Sequence, residues 1–395
     1  MKDISAENTQ LNEDLEDETQ LIVSKLNTSN TRPSTSHLTS PYLKHETRRL
    51  IKIILLIIII SISSYVIHIV SDHRKSNLMQ LEEERVQDSK RKFNEERVKV
   101  LTANAVNQAN FLVDDSDITR PLILYVYSER ADSRKNAIYF IQHGLHVRAD
   151  FIFIFNGETD LDKLLPERVP NIRIVRRDNT CYDLGAIGEV LRSNDQELVK
   201  KYKRFIFINA SVRGPFLPTW TDGCWSDLFL NKINDKVKLV GTTYNCWGHH
   251  IQSMVLATDI VGLQIILAGN ATDTTSETDP QWKEQWGNPN SLVGLTGCYN
   301  TKYKAVSAEM SVTHLIKRAG YNISVLMTSV TSDPSYDETC DDDNKYNLAS
   351  VSPYELIFIK ARKGWENLMD EQLLDKMTEW HNTWNYNSWE RCKMK

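Results

Sequence analysis

The stretch that decides the fold is Ala149-Asp-Phe-Ile-Phe-Ile-Phe-Asn-Gly157, an unbroken apolar run from Phe151 to Phe155 closed by an Asn-Gly turn. A strand that is apolar on both of its faces must be covered on both sides. Similar runs stand on either side of it: LILYVY (122–127) before it, then IRIVRR (172–177), FIFIN (205–209) and KLVGTT (238–243) after it. Between and beyond them lie stretches with helical spacing, at 133–144, 183–193, 259–268 and 307–320. Doubly buried strands alternating with helices predict an α/β domain with a mainly parallel sheet and flanking helices, placed at residues 115–395. Nothing in the sequence repeats at a fixed period.

Upstream of this domain the composition changes. Residues 1–48 are rich in Ser, Thr, Asn, Asp and Glu and poor in aromatics, the signature of a disordered tail. Residues 49–71 hold LIKIILLIIIISISSYVIHIV, long enough as a helix to cross a hydrocarbon core of about 30 Å. A lipid bilayer is therefore an expected partner through this segment. Residues 72–114 are charged, with a sparse apolar stripe (Leu78, Leu81, Val86, Phe93, Val98, Leu101), and predict a helical stem through which two copies could pair. Basic residues flank the span on both sides, so the positive-inside rule does not orient it. All six cysteines follow the span, as do the sequons at Asn209, Asn270 and Asn322, against one at Asn27 before it. These predict a single-pass type II protein of the Golgi or endoplasmic reticulum with a lumenal C-terminal domain. A net charge of −5 gives no reason to expect nucleic acid as a partner.

In open α/β sheets ligands gather beyond the carboxyl ends of the strands. That rule selects Tyr125 and Ser128 after the first strand, and Arg177, Asn179, Asp183 and Gly185 after the third. It also selects Asn209, Ser211 and Arg213 after FIFIN, and the segment 242–253 with Asn245, His249, His250 and Gln252. Asp183 has two readings: a helix cap, or, with Asn179, a holder of sugar or ribose hydroxyls beside a phosphate at Arg177. Glu309 is the candidate general base for activating an acceptor hydroxyl; its plainer reading is an acidic residue in a first helical turn. Trp380, Trp384, Tyr386 and Trp389 could stack on a sugar or bury an amphipathic helix. Asp341-Asp342-Asp343 lacks the glycine and terminal glutamate of an EF-hand loop. Walker, Gly-x-Ser-x-Gly and GxGxxG motifs are absent.

RDNTCYDLGAIGEVL (177–191) resembles the N-x-G-x-D-x-G-A signature of the rhamnan synthesis protein F type glycosyltransferases. FIFINASVRGPFLP (205–218) is similar to their strand and following turn, and SPYELIFIKARKGW (352–365) resembles a Pro-Tyr-Glu element of related membrane-anchored transferases. The resemblance spans residues 122–365. It implies a GT-A-like, Rossmann-type domain, a nucleotide-sugar donor held by Tyr125, Ser128, Arg177, Asn179, Gly185, Asn209, Ser211 and Arg213, and a glycan or glycoprotein acceptor contacted by His250 and Gln252. Catalysis would rest on Glu309 and Asp183. This sequence departs from the pattern at Cys181, which replaces a glycine. It departs again at Asn209-Ala210-Ser211, where GT-A enzymes place an Asp-x-Asp pair for Mn2+ or Mg2+; without a carboxylate there, metal binding is in question. Arg213, Lys360 and Arg362 are then the candidates to neutralise a leaving diphosphate. A non-catalytic, membrane-anchored carbohydrate-binding or scaffolding protein is the alternative.

Overall fold

The computed structural model describes residues 120–246, 248–270, 292–331, 352–361, 371–384 and 386–393, together with helical positions between 52 and 92. The chain divides into two units, Met1–Val86 and Gln87–Lys395. In the first, every described residue is helical, and 71–81 is a continuous helical run. Among the described residues no helix is long and apolar enough to cross a membrane. Much of the 49–71 segment, the tail, the later stem, Arg362 and the 341–343 acidic run lie outside the described residues.

The second unit is built on β1 (Leu122–Ser128), β2 (Asp150–Asn156), β3 (Ile172–Arg177), β4 (Arg204–Asn209), β6 (Val237–Gly241), β9 (Val255–Asp259) and β10 (Asn322–Val325), in the order β10-β6-β9-β4-β1-β2-β3. Pairings β1–β2, β1–β4, β2–β3 and β6–β10 are parallel, and β9 runs antiparallel to both its neighbours. The expected mixed α/β architecture with a mainly parallel central sheet is therefore present.

Period-two alternation distributes the apolar runs between two cores. Leu122, Leu124, Val126, Ile152, Ile154, Phe205 and Phe207 face one side, with Leu184, Ile187 and Leu191 of α2 (Tyr182–Arg192) and Ala308, Val312 and Leu315 of α6 (Lys302–Arg318). Ile123, Tyr125, Tyr127, Phe151, Phe153 and Phe155 face the other, with Phe140 and Ile141 of α1 (Ala131–His143) and Trp225 and Phe229 of α4 (Trp225–Leu230). β3 is the sheet's edge, and Arg173 and Arg176 on it discourage further strand pairing. The remaining helices are α3 (Glu197–Lys201), α5 (Ile260–Ala268), α7 (Thr328–Thr331), α8 (Pro353–Leu356), α9 (Glu371–Thr383) and α10 (Ser388–Arg391).

Two small antiparallel pairs add to the carboxyl edge of the sheet. β5 (Val212–Arg213) pairs with β11 (Ile359–Lys360), setting Lys360 opposite Val212, and β7 (Tyr244–Asn245) pairs with β8 (His250–Ile251). Disulfides Cys181–Cys298 and Cys224–Cys392 tie residues 117 and 168 positions apart. Cys246 is also disulfide-bonded.

Candidate active site at the carboxyl edge of the sheet

The site begins where β4 ends. Asn209 Nδ2 donates to Asp183 Oδ2 at 2.5 Å, and Asn209 Oδ1 accepts from the Ser211 N–H (3.1 Å) and hydroxyl (2.5 Å). The turn thus folds on its own side chain, an Asx arrangement. Asp183 stands in the first turn of α2, and burial, followed by the nearby Glu309 carboxylate, pushes its carboxyl up; bonds from Asn209 and from backbone amides act against this.

Across from it, α6 delivers Glu309. The expectation of a first-turn residue is corrected: α6 starts at Lys302 with Thr301 capping the Lys304 N–H, so Glu309 lies two turns inside the helix. Glu309 Oε1 accepts from the Ser253 N–H at 2.8 Å and lies 3.6 Å from His250 Nε2; 24% of its side chain is exposed, against 4% for His250. Burial acts to raise Glu309, but His250, the Ser253 N–H and the Lys360 charge outweigh it and hold the carboxyl below its ordinary range. Lys360 reaches this region because the Ala361 N–H donates to the Ser211 carbonyl at 2.8 Å, extending the β5–β11 pair.

Asp183, Asn209, Ser211, Glu309, His250 and Lys360 therefore converge, and several other expected residues do not join them. Tyr125 is corrected by strand alternation: it points into the core opposite α2, stacked on Phe140 at 4.6 Å, with its hydroxyl buried and without a partner. Arg177 directs its donors locally, to Asn156 Oδ1, to the Asp178 and Thr180 carbonyls and to Glu189, so it is a brace for the loop. Arg213 is turned away from the edge, its buried guanidinium held by Asn136 Oδ1, Asp375 and Thr378. Gly185 has a packing reason: a Cβ there would meet the Gly297 carbonyl oxygen at 2.9 Å. Ser128 is half-buried at the end of β1, and Asn179 is exposed beside Gly157. Gln252 is buried and accepts from the Thr243 hydroxyl at 2.7 Å, which ties the 242–253 segment together.

Sequence reasoning misses the Ser253 N–H, a backbone contact that no side-chain pattern signals. It leaves the aromatic C-terminal end open, and the structure divides it: Tyr386 and Trp389 are core residues, while Trp380 and Trp384 are partly exposed. Cys181 has a left-handed backbone (φ 68°), the conformation a glycine takes most readily.

The residues present do not fit a divalent cation. Asn209 and Ser211 offer neutral oxygens that already bond each other, and one Asp183 oxygen is occupied by the Asn209 amide. Among the described residues, the one group of three His, Cys, Asp or Glu ligand atoms close enough to share an ion is His146, Cys224 and Cys392, and its two sulfurs form a disulfide.

No protein-family model matches the sequence, and no curated protein matches it. Solved structures similar to it include the mannosyltransferase PcManGT from Pyrobaculum calidifontis in complex with GDP-Man and Mn2+, at 12% identity and a TM-score of 0.30 over 67% of this chain and 84% of that one. A putative nucleotide-diphospho-sugar transferase from Desulfovibrio desulfuricans gives 11% identity and 0.29 over 67% and 98%. The glycosyltransferase GlyE from Streptococcus pneumoniae gives 8% and 0.31 over 68% and 65%. Scores this low carry no argument about activity, and the functional reading rests on this chain's own residues.

Proposed function

We propose that this chain is a glycosyltransferase that moves a sugar from a nucleotide-sugar donor to a hydroxyl of a glycan or glycoprotein acceptor. The observation that carries the reading is the meeting of Asp183, Asn209 and Ser211 with Glu309, His250 and Lys360 at the carboxyl edge of a mainly parallel sheet. In this reading Asp183 and the Asn209–Ser211 turn hold the donor sugar's hydroxyls. Glu309, kept ionised by its neighbours, takes the acceptor hydroxyl's proton as that oxygen bonds to the anomeric carbon. The bond from that carbon to the diphosphate breaks, and the diphosphate departs with the electron pair. Lys360 is the candidate that supplies positive charge for it, since Arg213 is committed to Asp375. No step is assigned to a metal.

The reading includes a type II anchor through residues 49–71 and a lumenal domain in the Golgi or endoplasmic reticulum. It is supported by the apolar composition of that segment, by the disulfides Cys181–Cys298 and Cys224–Cys392, and by the positions of the sequons. The neutral Asn209-Ala210-Ser211 turn favours a second reading, a carbohydrate-binding protein without catalysis.

One experiment separates the two. The full chain is incubated with a panel of UDP- and GDP-sugars, with Mn2+ and with chelator. Donor hydrolysis that survives chelator and is lost in Asp183→Ala supports the transferase. Absence of nucleotide binding under every condition sinks it.

A further inference from the structure

His146 is fully buried, and neither of its ring nitrogens has a hydrogen-bond partner. Buried polar groups without partners are rare in folded proteins, and this one calls for an explanation. Packing does not supply it, because the ring stands nearly perpendicular to those of Phe151 and Trp225, where a phenylalanine would serve as well. What distinguishes the place is its sulfur. A ring nitrogen of His146 and the sulfurs of Cys224 and Cys392 all lie within 4.8 Å of one another. Both cysteines are buried too, and the Ser226 hydroxyl stands 3.3 Å from the Cys224 sulfur. Burial, then Arg148 and Arg120, keeps the imidazole neutral. With neither nitrogen engaged, the ring proton can sit on the one facing away, which leaves a lone pair toward the sulfurs.

We infer that His146, Cys224 and Cys392 form a zinc site when the Cys224–Cys392 disulfide is reduced, the ion then tying α10 to the domain in place of the sulfur–sulfur bond. The oxidised chain offers one ligand; the reduced chain offers three. A dithiol gives two electrons to the bond, becomes a disulfide itself, and passes its two protons to the cysteine sulfurs. Zn2+ then displaces those protons and binds both thiolates. Two thiolates and an imidazole are a soft set that selects zinc over magnesium or calcium, and they leave the fourth tetrahedral position to water. Bonds of about 2.3 Å to sulfur and about 2.0 Å to nitrogen set the ligand atoms about 3.5–3.8 Å apart. That is within reach of atoms already no more than 4.8 Å from one another. The ion needs no preformed cavity, because it takes the centre that the parting sulfurs open. Cys392 is the side that gives: it follows the one-turn helix α10, whose Arg391 is exposed, whereas Cys224 directly precedes the core residue Trp225. The Ser226 hydroxyl is placed to donate to the Cys224 thiolate, an outer contact that steadies a metal ligand. None of this depends on the transferase reading.

The test uses the full chain in detergent, stripped of metal, reduced with a phosphine and titrated with Co2+, whose visible absorption reports tetrahedral coordination by thiolate. A single equivalent is expected to bring up the bands in the reduced wild type, and the oxidised protein is expected to show none. Cys181→Ser/Cys298→Ser and Cys246→Ser keep the bands, which sets the other cysteines aside. His146→Phe and Cys392→Ser lose them, and His146→Cys brings them back with the sulfur-to-cobalt absorption strengthened by a third thiolate. Zn2+ displaces the cobalt and raises the melting temperature of the reduced wild type but not that of reduced His146→Phe. Absence of the bands from the reduced wild type overturns the site, whether or not the reduced chain stays folded. Bands that persist in His146→Phe, or that vanish in Cys181→Ser/Cys298→Ser, overturn it equally.

Discussion

The Asn209 amide nitrogen donates to the Asp183 carboxylate at 2.5 Å, joining the last residue of β4 to the first turn of α2 across the carboxyl edge of the sheet. This contact holds a carboxylate whose ionisation burial opposes. Between Asp183's ordinary value and its raised one, the folded chain keeps a proton that the unfolded chain has lost. Stability therefore rises as pH falls through that window. Asp183→Asn keeps an oxygen for the Asn209 N–H and removes the charge, so its melting temperature at pH 7 is expected above wild type, with donor hydrolysis reduced at least a hundredfold. Asp183→Ala leaves the Asn209 amide without its partner and is expected to lose about 1 kcal/mol or more in a urea titration.

Cys181 gives a second test. Its left-handed backbone, φ 68°, costs a residue with a Cβ about 1–2 kcal/mol, and the bond to Cys298 holds it in place. Once Cys298→Ser removes the bond, the position should prefer glycine. Cys181→Gly/Cys298→Ser is expected to be more stable than Cys181→Ser/Cys298→Ser by about 1 kcal/mol in urea titrations. The reverse order would mean that the glycine's extra freedom in the unfolded chain outweighs the strain.

The strands could be read from the sequence because burial on both faces leaves an unmistakable apolar run, as in Phe151–Phe155. Placing ligands at strand ends selects Asp183 and Asn209, whereas Glu309 comes from the separate search for a general base. Tyr125 shows what was neglected: the alternation already sets it on the face opposite Leu124 and Val126, the face α1 covers. Other contacts were out of reach. Lys360 is brought to Val212 by strand pairing, and Arg213 meets Asp375 162 positions away; no local pattern encodes such partners. The early start of α6 was hidden because Lys302, Tyr303 and Lys304 are exposed while the buried stripe begins at Ser307.

Arg213 distinguishes a structural cation from a catalytic one. With its guanidinium buried and bonded to Asn136, Asp375 and Thr378, Arg213→Ala uncovers an unpaired carboxylate and a buried amide. Asp375 is half exposed and water takes up its charge, so the cost is chiefly that of the buried Asn136 Oδ1 losing its donor, about 1–3 kcal/mol. Nucleotide affinity, measured per folded molecule, should be unchanged. A selective loss of nucleotide binding without a stability change would return Arg213 to the donor site.

Acid sensitivity follows from two buried histidines. Burial, then Arg148 and Arg120, lowers His146 from 6.5 to about 3; burial, then His143, lowers His381 from 6.5 to about 3. Below 6.5 the unfolded chain takes up protons that the folded chain refuses. The stability is complete above that value and lost as pH falls toward about 3, at about 1.4 kcal/mol per pH unit for each residue. His381 is held neutral by the Tyr139 hydroxyl at Nδ1 and by accepting the Leu217 N–H at Nε2, so replacing it also breaks bonds. His146 has no partner at either nitrogen and packs against Phe151 and Trp225. His146→Phe is therefore expected to reduce the drop in urea midpoint between about pH 6 and about pH 4.5. An unchanged drop would place the acid sensitivity elsewhere.

The sequons test the proposed lumenal placement. Asn209 is engaged on both ends of its amide, by Asp183 and by Ser211, whereas Asn322 begins β10 at the edge of the sheet and is exposed. A glycan cannot be accommodated at Asn209 without breaking the site's central contact. Expressed through a secretory pathway, the chain is expected to lose one glycan, seen as a gel shift, on Asn322→Gln. Asn209→Gln should leave its mobility as it is. A chain with no glycan at any of the three sequons that follow the span would count against a lumenal domain. A glycan at Asn209 in the folded, nucleotide-binding protein would remove the Asn209–Asp183 contact from the catalytic account.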